Sequence, residues 1–421
     1  MPPEGLRHAK RALNICLMWH SVYSANMGVN ALTYSTLRYL EEVAERLDVC
    51  FDYTILGQGA GDKDGCTDEV VINGKNIPFK FEHLVIPKVY LGRLRSYRVL
   101  LKWLIFRCPS FIDDLSQYDL ILDVGEGDSF ADIYGSARFI QQYLTKVLAL
   151  AARKTLVLLP QTIGPFNHVV SRVMVNALMR HIRYIYPRDQ ASLRYLEKAI
   201  GNRVFREYLD VAFHLPYEKA CFVPEKIHVG LNISALLWHG GYSQDNMFNL
   251  QVNYRQVIGE IVRFFLEQED VLVHLVPHVV LPRNLSLEDD CAVAEEMHRE
   301  MPETILAPAF QDPIQAKSYI SGLDFLVGAR MHGCIAAYSS GVPVVPMAYS
   351  RKFSGLFVSS LGYPFVADLK HDNQDQVYEK VCNGFENRAA LRRAILARRS
   401  LVESNIAAFR DELAAIVERV L

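Results

Sequence analysis

An arginine and a histidine, Arg330 and His332, lie two positions apart directly after an apolar run at 325–327. Arginine presents permanently charged, planar N–H donors that suit a carboxylate or a phosphate, and histidine can gain or lose a proton near neutral pH. The apolar run is typical of a buried parallel strand, and the small residues at 333–340 predict a helix after it. Backbone amides at a helix start also attract anions. The sequence therefore predicts a site for a small, multiply charged anion.

Two further cations follow predicted strands. Lys352 lies just past an apolar run at 342–347, and Arg188 directly follows a run at 184–186. Open α/β sheets bind ligands at the carboxyl ends of their strands, so both side chains are candidates for binding the same anion.

Each of these cations also has a purely structural interpretation. Arg330 could be neutralised by a carboxylate in the core, with a histidine beside it that only packs. Arg188 could form an ordinary ion pair with Asp189 or Asp210, and Lys352 could lie exposed at the surface. The residue types leave both interpretations open.

Apolar runs alternate with helical patterns along nearly the whole chain, which predicts βαβ units and parallel sheets. A polar, proline-containing stretch at 215–225 separates two such series and is typical of an interdomain linker. We therefore predict an α/β protein with two Rossmann-like, doubly wound domains, 1–218 and 219–385, facing across a cleft. An amphipathic helical segment at 386–421 follows them. The predicted strands are 13–19, 50–56, 120–124, 155–159, 184–186, 228–233, 271–276, 304–306, 325–327 and 342–347.

Polar residues stand in the loops that follow several of these strands, where a second ligand would be bound. Gly28 would let the backbone approach a ligand closely. The carboxylates after the third strand could bind hydroxyl groups or act as a base, or they could simply cap a helix. The candidates are Asn26, Gly28, Glu126, Asp128, Gln161, Asn232 and His278.

Composition and motifs exclude several classes of function. The chain has 421 residues and a formal net charge of −2, which gives no reason to expect a nucleic-acid partner. Its eight cysteines form no CxxC pair, which favours reduced thiols and a cytoplasmic location. The sequence has no HExxH, GxGxxG, Walker or GxSxG motif, so we expect neither a metal nor a bound cofactor. No apolar run is long enough to span a membrane.

The segment 88–107 is basic and rich in aromatic and aliphatic residues, and it contains no acidic residue. Such a helix can lie in the interface of an anionic membrane, which would place the protein at the inner face of the membrane. The alternative is a crossover helix that packs on the sheet and turns its basic face to water.

In these motifs, in their order and in their spacing, the chain resembles the polysaccharide pyruvyl transferase family from about residue 14 to residue 366. The motif around Arg330 and His332 carries most of the resemblance. Glu126 stands where the family often has glycine, and 29–30 lacks the usual acidic residue, so the departures concern the acceptor. The matching segments are 26–28, 125–130, 160–166, Arg188 with Ser192 and Leu196, Asp210 with Phe213, 328–333, 341–343, Tyr349 and Lys352.

The resemblance implies a glycosyltransferase-B-like fold, no metal, and phosphoenolpyruvate as co-substrate. In related enzymes the Arg-x-His pair and an arginine from the other domain hold phosphoenolpyruvate, and these roles fall on Arg330, His332 and Arg188. Met331, Gly333 and Lys352 complete the predicted phosphoenolpyruvate site. The first domain would then carry the acceptor side and the second domain the phosphoenolpyruvate side.

The implied reaction transfers pyruvate from phosphoenolpyruvate onto two hydroxyls of a sugar in a polysaccharide or its precursor, and it releases phosphate. His332 would protonate the methylene carbon, and Asp128 or Glu126 would deprotonate the sugar hydroxyl. The acceptor would be a saccharide, either free or lipid-linked. Two alternatives remain open, namely a metal-independent nucleotide-sugar glycosyltransferase of the same fold and a noncatalytic carbohydrate-binding protein.

Overall fold

The computed structural model describes residues 11–58, 63–90, 93–127, 130–133, 135–281 and 286–421. In these ranges the chain forms two α/β domains, each built on a largely parallel sheet. The fold class predicted from the sequence is confirmed. None of the helices in the described ranges is long and apolar enough to cross a membrane.

Within the described ranges, the first domain contains a seven-stranded sheet and six helices. Its strands are β1 (Ala12–Met18), β2 (Cys50–Gly57), β3 (Thr67–Ile72), β4 (Lys75–His83), β5 (Leu120–Asp123), β6 (Thr155–Gln161) and β7 (Tyr184–Pro187). Its helices are α1 (Met27–Leu47), α2 (Leu94–Phe106), α3 (Cys108–Ser116), α4 (Ser136–Ala151), α5 (Val169–Met179) and α6 (Gln190–Ile200), with short 3-10 turns at Gly125–Gly127 and Val211–His214. The strand order is β3-β4-β2-β1-β5-β6-β7, and only the β3–β4 pair is antiparallel.

The second domain contains a six-stranded sheet that is parallel throughout. Its strands are β8 (Ile227–Asn232), β9 (Val271–Leu275), β10 (Ile305–Leu306), β11 (Phe325–Gly328), β12 (Val344–Ala348) and β13 (Ala367–Asp368). Its helices are α7 (Ala235–Trp238), α8 (Tyr254–Leu266), α9 (Asp290–Glu300), α10 (Pro313–Ser321), α11 (Met331–Ser340), α12 (Arg351–Phe353) and α13 (Gln374–Glu386), and a π-helical turn covers Ser354–Ser360. The strand order is β10-β9-β8-β11-β12-β13.

Both sheets reverse their strand order at one point, between β1 and β5 in the first domain and between β8 and β11 in the second. In open α/β sheets, ligands bind in the crevice outside the carboxyl ends of the strands at this reversal. The loops after these four strands are therefore the expected binding loops of the molecule.

Strands at the centre of each sheet are mostly apolar and mostly buried, because helices cover both faces. Every residue of β5 and of β11 is buried. A parallel strand that is buried on both sides has no need for alternating polar residues. This is why the central strands were predictable as continuous apolar runs.

The predicted helical segment 386–421 forms two helices, α14 (Arg388–Ala397) and α15 (Arg399–Val420). Helix α15 packs against the first domain, where Phe409 lies among three tyrosine rings. The ring centroids of Tyr39, Tyr186 and Tyr208 lie 5.3, 5.5 and 5.0 Å from that of Phe409. The chain therefore crosses between the domains a second time at its C-terminal end.

Several element boundaries differ from the sequence-based prediction. Strand β1 covers Ala12–Met18, compared with a predicted 13–19, and helix α1 begins at Met27, where Asn26 caps it by accepting a hydrogen bond from the Gly28 amide. The β3–β4 pair was not predicted, because its strands lie at the edge of the sheet and contain no long continuous apolar run. The linker 215–225 lies next to Lys317, whose ammonium donates to the Leu215 carbonyl at 2.8 Å.

Replacing Phe409 by alanine removes a ring that is 1% exposed from this aromatic cluster. We expect the F409A variant to lose about 3–5 kcal/mol of unfolding free energy, the usual range for truncating a buried phenylalanine. Chemical denaturation measures the change. The matched control is F106A, which truncates a ring that is 75% exposed and should shift the denaturation midpoint little. Equal losses in the two variants would contradict the packing of α15 on the first domain.

Candidate active site between the domains

Arg330 is the N-cap residue of α11, lies two residues after the end of β11 and is buried, and its side chain makes no capping hydrogen bond. Its Nε and one terminal nitrogen donate to the two carboxylate oxygens of Asp290, at 3.1 and 2.7 Å. The same terminal nitrogen also donates to the Glu288 carbonyl at 3.1 Å. Burial acts to lower the pKa of the guanidinium, but Asp290 outweighs it and raises that pKa above the usual value. Arg330 Nη1 has no hydrogen-bond acceptor in the described part of the chain, so it is available to a ligand.

Asp290 collects donors from the ends of three neighbouring strands. Besides Arg330, its carboxylate accepts hydrogen bonds from the backbone amides of Ala235, His278 and Val279, at 2.9, 3.2 and 2.9 Å. These amides belong to the segments that follow β8 and β9. One buried carboxylate thus fixes the three loops at the strand reversal of the second domain relative to one another.

His332 lies in the first turn of α11 and contacts both domains. A Cβ built on Gly28 of the first domain would lie 2.3 Å from His332 Nδ1, so only glycine allows this approach. The other ring nitrogen, Nε2, lies 3.8 Å from Asp210 Oδ2, also of the first domain. That distance is too long for a hydrogen bond, and Nε2 is buried without a hydrogen-bond partner in the described ranges.

The surroundings of His332 keep its ring neutral near pH 7. Burial lowers its pKa to about 4, Asp210 opposes the shift, and the positive charges of Arg188 and Lys352 add to it. A buried imidazole between cations disfavours a further positive charge. The lowered pKa of His332 would rise if additional negative charge came close to the ring.

Arg188 reaches the same position from the first domain. Its Nε donates to Thr162 Oγ1 at 2.9 Å, and one terminal nitrogen pairs with the buried carboxylate of Asp210. The ion pair with Asp210 was one of the structural alternatives for Arg188. Its second terminal nitrogen, Nη2, has no acceptor among the described residues. Asp210 thus stands between Arg188 and His332.

His278 is a second buried histidine at the domain boundary. Both of its ring nitrogens lack hydrogen-bond partners in the described ranges. Burial, together with the charges of His332 and Arg330, lowers its pKa to about 3. Its backbone carbonyl accepts a hydrogen bond from the Met27 amide at 2.9 Å, which joins the domains. A buried polar ring without protein partners is costly, so it points to a ligand.

Lys352 and Arg351 connect the end of β12 to the first domain. Lys352 Nζ donates to the Gly127 carbonyl at 3.3 Å, and Arg351 donates to the Ile163 carbonyl at 3.1 Å. A Cβ built on Gly127 would lie 3.8 Å from His332 Cε1, so Lys352 reaches the turn that covers the histidine. The cation therefore lies within the electrostatic range of His332, consistent with its effect on the His332 pKa.

Among the other predicted residues, Asn232 and Gln161 are buried and hold the loops. Asn232 Oδ1 accepts from the Arg330 amide and its Nδ2 donates to the Val276 carbonyl. Gln161 donates to the Asp123 carbonyl, while its Oε1 is buried without a partner in the described ranges. The acceptor roles predicted for both residues remain predictions.

Glu126 sits in the turn after β5 with a positive φ of 55°. Its carboxylate accepts a hydrogen bond from Arg138 at 2.7 Å. Asp128, the other candidate base, lies outside the described residues. Met331 and Gly333 flank His332 in the first turn of α11, where backbone amides lack intrahelical acceptors.

Asp290 is the residue that the sequence did not reveal. Its partners lie in loops after three different strands, and its own position at the start of α9 resembles an ordinary helix start.

No group of three or more potential metal-ligating side chains occurs within the described residues. A cavity of about 420 Å³ lies at the other end of α11, around Lys317 and Ser340. It contains none of the predicted site residues.

Two facing Rossmann-like domains with their strand reversals turned towards one another define the glycosyltransferase-B class. The chain is similar to a trehalose-6-phosphate structure from E. coli bound with UDP-2-fluoro glucose, with 8% identity, a TM-score of 0.56, and coverage of 97% of this chain and 98% of that chain. It is also similar to UDP-GlcNAc 2-epimerase from Neisseria meningitidis, with 9% identity, a TM-score of 0.54, and coverage of 95% and 99%. These likenesses show the fold.

The family model for polysaccharide pyruvyl transferase matches residues 26–351, which is most of the chain. The chain belongs to that family, and it is therefore a transferase. The amylovoran biosynthesis protein AmsJ of Erwinia amylovora is 21% identical over 349 residues, covering 76% of this chain and 79% of that protein.

Replacing Gly28 by alanine would place a methyl group 2.3 Å from His332 Nδ1, so the ring or the whole domain must move. We expect the pKa of His332 to rise from about 4 towards its ordinary value of 6.5 as water reaches the ring. NMR titration of the histidine side chains, assigned with H332Q, measures this shift.

The matched control is G259A, where the nearest atom to an added Cβ lies 3.7 Å away within α8. This variant should leave the His332 titration unchanged and should be neutral or stabilising by up to about 1 kcal/mol, because alanine is the better helix former. An unchanged His332 titration in G28A would contradict the close contact between the domains.

Proposed function

We propose that this transferase uses phosphoenolpyruvate as its donor and forms a pyruvyl ketal on two hydroxyls of a saccharide. The observation that carries the proposal is that Arg188 of the first domain and Lys352 of the second both act on His332, while Arg330 and His332 both act on the neighbouring His278. The two arginines each retain a terminal nitrogen with no acceptor among the described residues. Arginine N–H groups suit the carboxylate and the phosphate of this donor.

The charge balance of the site indicates which groups would supply the positive charge that a donor with several negative charges needs. The arginines are already paired with carboxylates, Arg188 with Asp210 and Arg330 with Asp290. Extra positive charge must therefore come from Lys352, from the first amides of α11 and from a proton on His332. A bound dianion or trianion would stabilise the imidazolium and raise the His332 pKa from about 4. Donor binding and proton uptake would thus be coupled.

The protonated His332 then serves as the general acid in the proposed mechanism. It transfers its proton to the methylene carbon of phosphoenolpyruvate, which becomes a methyl group and leaves C2 electron-poor. One sugar hydroxyl adds to C2 and loses its proton to a base. The second hydroxyl then displaces phosphate, and its proton leaves with the phosphate. Arg188, Arg330 and Lys352 would stabilise the departing negative charge.

The acceptor is proposed to lie against the loops of the first domain, around Asn26, Glu126 and Gln161. Gln161 offers a buried Oε1 without a partner in the described ranges, and His278 offers two ring nitrogens in the same condition. Such groups suit the hydroxyls of a sugar, which both donate and accept hydrogen bonds. Asp128 and Glu126 remain the proposed bases.

We further propose that the protein acts in the cytoplasm, where phosphoenolpyruvate is produced. An acceptor that is a lipid-linked precursor would be met at the inner face of the membrane. Neither a metal nor a bound cofactor takes part in the proposed mechanism, in which phosphoenolpyruvate is a co-substrate.

A donor panel distinguishes this proposal from a nucleotide-sugar glycosyltransferase of the same fold. The purified protein is incubated with a saccharide acceptor and either phosphoenolpyruvate or UDP- and GDP-sugars. We expect phosphate release with phosphoenolpyruvate only, and a product mass that corresponds to a pyruvyl ketal. Release of UDP or GDP, with no phosphate from phosphoenolpyruvate, would replace the proposal by its alternative.

Replacing His332 by glutamine or Arg330 by alanine should each lower turnover at least about a hundredfold, through loss of the general acid or of charge stabilisation. Wild-type protein should take up a proton when phosphoenolpyruvate binds, seen by calorimetry in buffers of different ionisation heats, and H332Q should not. R330A leaves the Asp290 carboxylate without its cationic partner, so a second variant, R330K, is needed. R330K keeps a positive charge beside Asp290 and tests whether the bidentate geometry of arginine is required.

H371Q replaces an exposed histidine and is the control. Near-normal turnover would exclude the replaced residue from the mechanism.

A further inference from the structure

Helix α2 has an apolar stripe on its inner side and a second one that faces solvent. On the inner side, Leu100 and Trp103 pack against the core of the first domain, and the Trp103 ring lies 6.2 Å from that of Phe111. These contacts account for the attachment of α2 to α3 and to the core of the first domain. They do not account for the apolar residues on its other side.

The second apolar stripe consists of Tyr97, Leu101 and Ile105, which are 43%, 59% and 57% exposed. Their spacing of four residues places them above one another on one face of the helix. Phe106, at the end of the helix, is 75% exposed but lies outside this stripe, on the side of the helix that carries Arg95 and Lys102. Several large apolar side chains exposed together on one solvent-facing side of a helix are typical of a contact site, whereas apolar residues exposed singly are common on any protein surface.

A basic stripe runs beside the apolar one. Arg95, Arg98 and Lys102 follow at spacings of three and four residues and are exposed. No aspartate or glutamate occurs from 83 to 112, although the whole chain has a net charge of −2. Positive charge is therefore concentrated at α2 while the rest of the molecule is acidic on balance. We call the two stripes together the α2 outer face.

We propose that the α2 outer face binds the surface of an anionic phospholipid bilayer. The apolar stripe would enter the boundary between headgroups and acyl chains, and the basic stripe would lie at the lipid phosphates. A bilayer offers both an apolar layer and a dense layer of negative charge, which matches the two stripes. A two-fold dimer through this face would instead bring the cations of two copies together, which repel one another.

The position of α2 connects this surface to the cleft. Helix α2 follows β4, which runs parallel to β2 and β1, so the segment after β4 leaves the sheet at the same edge as the loops around the site. Gln141 of α4 donates to the Ile86 carbonyl at 2.8 Å and fixes this segment to the body of the domain. The bilayer would therefore lie beside the acceptor side of the cleft. The inference does not depend on the identity of the donor.

Vesicle co-sedimentation of the full chain tests the proposal. We expect binding to vesicles of phosphatidylcholine containing roughly a third phosphatidylglycerol, little binding to phosphatidylcholine alone, and weakening by salt. The charge-reversal variant R95E/R98E and the polar variant L101S/I105S should each lower the partition coefficient at least about tenfold. Because all four side chains are exposed, the thermal stability of both variants should match that of the wild type.

Two controls keep the outcomes distinct. The variant R392E/R393E reverses two exposed charges on α14 and should bind vesicles like the wild type. Both α2 variants should retain phosphate release with a soluble acceptor, so a failure of vesicle binding and a failure of the proposed reaction are separable. Absence of wild-type binding to anionic vesicles, or equal binding by R95E/R98E, would overturn the proposal. So would self-association that L101S/I105S abolishes, because the face would then be an interface between copies.

Discussion

The arrangement of the site depends on one buried carboxylate, that of Asp290. It accepts five hydrogen bonds, from Arg330 and from the amides of Ala235, His278 and Val279. The chain that donates these amides also reaches the first domain, since the His278 carbonyl accepts from Met27 and the Val280 amide donates to the Ala25 carbonyl. Moving a buried charge away from this many partners would be strongly destabilising. The loops of the second domain and their contact with the first are therefore fixed together.

The site is shared between the domains because each supplies what the other lacks. The second domain brings His332 on a helix start, and the first brings Gly28 and Asp210 against the two sides of its ring. Burial between the domains is what lowers the His332 pKa to about 4. Separation of the domains would admit water to the ring and return the pKa of His332 towards its usual value of 6.5. In the proposed mechanism, proton transfer by this histidine would thus depend on the contact between the two domains.

The carboxylate partners of the two arginines change what these side chains can contribute. An arginine that is paired bidentately, as Arg330 is with Asp290, is held rigidly but adds little net charge. In the proposed mechanism, the rigid arginine donors would orient the anion, and a proton on His332 would supply the additional positive charge. This division of roles also fits the glycosyltransferase-B fold, in which the binding loops lie on two separate domains.

The sequence by itself determined the two-domain α/β fold, because central parallel strands are buried on both faces and appear as continuous apolar runs. It also singled out Arg330, His332, Arg188 and Lys352, since cations at strand ends are local features. It did not single out Asp290 or the contact of Gly28 with His332, because these partners are distant in sequence and leave no local pattern. Only the tertiary structure decided which carboxylate neutralises which arginine, and that the His332 ring is almost enclosed with a lowered pKa, because enclosure and pairing arise when the two domains meet.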